Sequence, residues 1–290
     1  MRLSPFLAAA FVLLIAASAH AQETWTLNQA LFEAAKKGRT DELAGLLEQG
    51  SSVEARDRFG NTALLLAARS ARSRTVKALL AAGSAIDHQN LAGSTALLRA
   101  ATAGKSKTVR LLIGAGADVN LYNLKNLSPL AAAAYNGDEQ IVRLLLDKGA
   151  EVRVVDNSDK TAIVYAAGRG SANIVEILLQ TGIGVDERYG NDLTVLMWAA
   201  GYSNDVPSHE AVATVRVLLA HRAEVDLQDN RGRTALMIAA GMGHASVAGE
   251  LVKAGASVRL EDAAGKSAPD LARDAGHTEM LKFMEEAATD

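Results

Sequence analysis

Cysteine is missing from all 290 residues. That excludes disulfides, thiolate nucleophiles and cysteine-ligated zinc. Proline (4) and glycine (24) together make up about a tenth of the chain, too little for a collagen-like or linker-like polymer. Neither sign of charge prevails: 30 Lys and Arg face 33 Asp and Glu, for a formal net charge of −3. The chain therefore lacks the global basic field of a nucleic-acid binder. Beyond the N-terminus, no apolar run approaches the roughly 20 residues that a membrane span needs. No Ser/His/Asp grouping and no paired carboxylates stand out, so an enzyme is the least favoured class and no cofactor is expected. What remains is an apolar content of 49%, the value of a globular chain.

The N-terminus supplies an address. Arg2 is followed by a nearly all-apolar stretch over residues 5–19, and Ala19-His20-Ala21 fits the small-x-small cleavage pattern. Residues 1–21 are expected to be a secretory signal peptide, cut before Gln22. No cysteine follows the run to take a lipid, and no membrane attachment is expected after cleavage. Cleavage removes Arg2 and no acid, which takes the formal charge from −3 to −4. A bacterial periplasm is the expected location, with secretion beyond the cell the alternative.

One heptapeptide then keeps returning: TALLLAA at 62–68, TALLRAA at 95–101, SPLAAAA at 128–134, TAIVYAA at 161–167, TVLMWAA at 194–200, TALMIAA at 234–240 and a degraded SAPDLAR at 267–273. The steps are 33, 33, 33, 33, 40 and 33 residues. This period, with its Thr-Pro-Leu-like start, resembles the ankyrin repeat, and the resemblance spans residues 25–286. It implies an all-α repeat solenoid of helix-turn-helix units with β-hairpin fingers. We read eight units, two of them caps, at about 25–55, 56–88, 89–121, 122–154, 155–187, 188–226, 227–259 and 260–286, in a single domain over 22–290.

Each repeat follows one physical plan. Asp57, Asn90, Asn123, Asp156, Asp229 and Asp262 stand five residues before the repeat Thr or Ser, placed to hold a tight turn through the side chain. Gly60, Gly93, Gly232 and Gly265 relieve the backbone two residues before it. The Thr or Ser is positioned to cap the first helix, and paired alanines let the helical layers approach closely. A Val/Ile-x-x-Leu-Leu face follows in the second helix, closed by Gly83, Gly116, Gly149, Gly182 or Gly255. Trp25 and Leu27 are expected to cover the first helix pair. Repeat six has seven extra residues around 203–210, expected to form a surface loop, and Arg222 where the closing glycine belongs.

The resemblance also implies which positions face a partner: four, three and one before the Thr, and seven and eight after it. Among them stand Arg58, Arg69, Lys125, Lys160, Arg169, Arg231 and Arg233, against a single acid, Asp274. A basic concave face on an acidic body would favour a protein partner with an acidic surface. The alternative is an ordinary solvated face. Tyr135, Tyr189 and Tyr202 join the candidates, because tyrosine anchors interfaces. Tyr165 and Trp198 align with Leu66 and Ile238 and read equally as core. Reversing Arg169, Arg231 and Arg233 to Glu is expected to spare the fold, all three being read as exposed. Asp205, His209, Glu210 and His221 lack metal-ligand spacing. Gly104-Lys105-Ser106 is not a phosphate loop, because Arg99 replaces its first glycine.

The expected function is therefore a monomeric protein-protein interaction module that restrains or protects a periplasmic or secreted partner by occupying its surface. A secreted effector that binds host proteins is the alternative.

Overall fold

The computed structural model describes residues 22–202 and 205–289. The expected signal peptide, 1–21, lies outside the described residues, as do Ser203 and Asn204 of the insertion. Two compact units, Met1–Leu124 and Lys125–Asp290, make up the chain.

In the first unit the helices pair as α1 (residues 22–37) with α2 (Thr40–Glu48), α3 (Ala63–Arg69) with α4 (Ser73–Ala81) and α5 (Ala96–Thr102) with α6 (Ser106–Gly114). Trp25, in the first turn of α1, is 58% exposed instead of covering the helix pair. Leu31 and Phe32 of the same helix are buried. α3 packs on α5 through buried alanines, Ala63, Ala67 and Ala68 against Ala96, Ala100 and Ala101. Side chains this small let the two backbones approach, and Leu64 and Leu97 fill the core beside them.

The fingers form by side-chain turns. Asp57 accepts from the amides of Phe59 and Asn61 at 2.8 and 2.9 Å, and Asn90 does the same for Ala92 and Ser94. Successive fingers are tied by main-chain bonds, Leu91 N–H to Phe59 O and Leu124 N–H to Ala92 O, both 3.0 Å. Gly93, at φ +75°, sits where an added Cβ would come within 2.8 Å of the Leu124 nitrogen. Glycine there serves both the left-handed backbone and the close approach.

The second unit repeats the plan through α7 (Pro129–Tyr135), α8 (Glu139–Asp147), α9 (Ala162–Gly168), α10 (Ala172–Leu179), α11 (Val195–Ala200), α12 (Ser208–Ala220), α13 (Ala235–Met242), α14 (Ala245–Lys253), α15 (Ala268–Asp274) and α16 (Leu281–Thr289). One finger is regular enough to form two antiparallel strands, β1 (Arg188–Tyr189) and β2 (Leu193–Thr194), with Arg188 opposite Thr194. Where the turn glycine is missing, Asn126, Asp159 and Asp192 take positive φ in its place, as short polar side chains tolerate. Arg222 does so at the end of α12, with φ 65°.

Capping follows the plan in most repeats. Thr95, Ser128, Thr194, Thr234 and Ser267 each accept an amide hydrogen bond from the first turn of their helix. Thr62 and Thr161 make no such bond. The degraded last copy also has its reason. Pro269 lies in the first turn of α15, where no donor is lost, and Asp270 bonds back to the Ser267 amide at 3.1 Å.

The insertion departs from expectation. α12 runs for 13 residues, against 8 or 9 for α8, α10 and α14. His209 and Glu210 therefore belong to a helix and not to a loop. Val206 is buried against Gly170, whose missing Cβ leaves the room it occupies. An apolar side chain with a place to dock converts extra length into an extra helical turn.

Candidate binding groove in the second unit

The fifth residue of the repeat heptapeptide is Leu66 and Arg99 in the first unit and Ala132, Tyr165, Trp198, Ile238 and Leu271 in the second. In the second unit Tyr165, Trp198, Ile238 and Leu271 from this position line one groove.

Its first part is a cleft of about 410 Å³ lined by Tyr135, Lys160, Tyr165, Arg169, Trp198 and Asp205 among others. Tyr135 and Tyr165 meet edge to face, with centroids 5.8 Å apart. The Lys160 ammonium stands 4.9 Å from the Trp198 ring centre and 5.6 Å from that of Tyr165. The Arg169 guanidinium lies 5.3 Å over Tyr135. Each is within cation–π range. Burial, and the hydrogen bond that its hydroxyl donates to Asp156, push the Tyr165 pKa up, so it stays a neutral donor. Asp156 is held in turn by the amides of Ser158 and Lys160.

The second part is a slot of about 330 Å³ between Leu193, Met197, Trp198, Met237, Ile238 and Leu271. Trp198, Gly201 and Met242 border both parts. The Trp198 indole nitrogen is buried and meets no acceptor among the described residues.

The structure sorts the candidate residues. Tyr135, Lys160 and Arg169 come together in the cleft, with Tyr135 half-exposed. Arg231 and Lys125 are exposed on finger tips of the same unit. Arg58 and Arg69 belong to the first unit, where Arg58 lies 4.7 Å over the Phe59 ring. Tyr189 is half-buried, its hydroxyl 3.3 Å from Glu187. Burial first, then the Glu187 charge, raise its pKa to about 12.

Tyr202 departs from its expected role as an exposed contact. It is only 6% exposed and stacks on His244 at 3.8 Å. His244 in turn bonds the Ala200 carbonyl through Nδ1 at 2.8 Å, and this stack fills the floor below the cleft.

The one-signed charge of the face is also corrected. Asp205 pairs with Arg169 at 2.7 Å, Asp229 with Arg233 at 3.0 Å and Asp274 with Lys266 at 2.5 Å. The positions that the resemblance implies leave out the turn residue Asp229 and the inserted Asp205, which fold back onto Arg233 and Arg169. Arg169 and Arg233 are consequently half-buried, not exposed. Among the described residues, no carboxylate lies within ion-pair distance of Lys160 or Arg231.

Arg99 is the residue that sequence reasoning missed. It puts a cation at a repeat position that otherwise holds apolar or aromatic residues. Burial and the nearby Arg69 charge lower its pKa. The signal was available in the alignment of the repeats with one another. His221 binds Glu176 at 2.8 Å on the outer side. Among the described residues, no group of His, Asp and Glu could hold a metal ion, and no helix is long and apolar enough to cross a membrane.

A family model described as ankyrin repeats (three copies) matches residues 7–90, 31–123, 71–156, 130–212 and 207–289. A search of curated proteins finds none that matches the chain.

Proposed function

The chain belongs to the ankyrin-repeat family, whose repeats form protein-protein interaction modules, and from that premise we propose that it holds a periplasmic or secreted partner protein on the groove of its second unit. The action is steric. A groove made of packed helices and tied fingers occupies part of the partner's surface and so restrains or protects it. The chain acts as a monomer after removal of residues 1–21.

The observation that carries this reading is the cluster of Tyr135, Tyr165 and Trp198 around the Lys160 ammonium. Aromatic side chains lose little freedom when they are covered, and they dominate the energetics of interfaces. Here they border a cleft and have not been absorbed into the core. The groove offers π faces, the Met242 thioether and cations, all of them binding groups. Lys160 favours a partner that brings negative charge to this place. The wider basic face contributes less than its count of Arg and Lys suggests, because Arg169, Arg233 and Lys266 already have carboxylates.

The experiment is a capture assay. Residues 22–290 are immobilised beside the variant Tyr135→Ala/Lys160→Gln and exposed to periplasmic and secreted extract of the source cells. One protein retained by the unaltered chain and lost from the variant is the expected result. Equal retention by both, with the variant folded by circular dichroism, would remove the groove from the function.

A further inference from the structure

We infer that the groove of the second unit is a track for an extended peptide segment that carries an apolar side chain close to a carboxylate. The inference rests on the protein-interaction reading above and narrows it to a class of ligand.

Three observations converge on this ligand. The first is the division of the groove. Its apolar slot, bounded by Trp198, Ile238 and Leu271, and its aromatic cleft, bounded by Tyr135 and Lys160, share Trp198, Gly201 and Met242. A ligand lying along the groove meets an apolar hole and a cationic site in succession. Met242, about half exposed, lines the slot, and its unbranched chain adapts to side chains of different shape.

The second is charge. Lys160 is held against two aromatic faces, 4.9 and 5.6 Å from their centres. Its neighbour Arg169 is already bonded to Asp205. A ligand carboxylate would complete Lys160 without displacing an existing pair.

The third is a row of glycines. Gly168, Gly201 and Gly241 occupy one repeat position, seven residues after Thr161, Thr194 and Thr234. None has positive φ, so the backbone does not demand glycine. A Cβ at Gly168 or Gly241 would meet no atom within 4 Å, and only at Gly201 would it crowd Ile238, at 3.1 Å. Internal packing therefore does not demand glycine at the two outer positions either, and glycine is less stable than alanine in a helix. The same position holds Arg69, Thr102 and Tyr135 in the preceding repeats. The bare positions lie only in, or directly after, the three helices that carry Tyr165, Trp198 and Ile238. Omitting Cβ at these places lets a ligand main chain come close.

The test selects a random dodecapeptide library on immobilised residues 22–290, with counter-selection on Gly168→Ala/Gly241→Ala. Selected peptides are expected to place Asp or Glu within four residues of an aliphatic or aromatic residue. Lys160→Gln is expected to abolish the preference for the acid over its amide. The glycine variant is expected to lose at least tenfold in affinity while its Tm rises by about 2–4 °C. That combination separates a role in binding from a role in folding. No enriched peptide, a consensus without acids, equal binding by the glycine variant or a fall in its Tm would overturn the inference. If the extract partner is still captured by the unaltered chain and lost from Tyr135→Ala/Lys160→Gln, the interaction reading survives and the peptide track alone falls.

Discussion

At the scale of the residue, Asp229 and Arg233 show how a charge is used inside a repeat. The Asp229 side chain is buried, and it accepts from the amides of Arg231 and Arg233 and from the Arg233 guanidinium. Burial by itself would raise its pKa, but these donors outweigh it and leave the pKa below its usual value. A depressed folded pKa stabilises the fold above the unfolded carboxylate range, and this contribution disappears as pH falls through the folded value. The variant Asp229→Asn should therefore flatten the acid side of a stability–pH profile. Arg233→Glu should cost about 2–3 kcal/mol in urea unfolding, because it sets a like charge against a buried carboxylate. Arg231→Glu, exposed and without an ion pair among the described residues, should stay within about 0.5 kcal/mol. The two arginines stand two residues apart and look equivalent as letters. Only the direction of the side chain, inward to the turn or outward to water, separates them.

At the scale of the element, the repeat plan decides most of what forms. Ala133 is buried in α7, which packs on α9. Ala133→Leu should destabilise the second unit by about 1–3 kcal/mol, since packed helices cannot separate to admit the extra carbons. Thermal unfolding followed at 222 nm reads this directly. Arg222 gives the opposite case. It holds a left-handed conformation where the other repeats have glycine, and Arg222→Gly should raise stability by about 0.5–1 kcal/mol in the same measurement. The turns, inner alanines and closing glycines were legible because each answers a local demand that recurs every 33 residues. The long α12 was not legible. Its extra turn depends on Val206 reaching Gly170, a contact between segments 36 residues apart. The polar letters around it say nothing of that contact.

At the scale of the whole molecule, export remains a proposal with a direct check. Intact-mass analysis of the protein recovered from cells should give a chain that begins at Gln22, found in the periplasmic fraction. A chain retaining Met1 would end the export reading and with it the choice of partner compartment. The ankyrin fold and its 33-residue period were set by the sequence alone, because periodicity is a one-dimensional property and stacking needs only neighbours. The tertiary structure decided which side chains remain available for binding. It buried Tyr202 on His244, matched Arg169 to Asp205 and Arg233 to Asp229, and brought Lys160 onto Trp198. Exposure and charge pairing depend on distances between residues remote in the chain, and those distances exist only after the helices have packed.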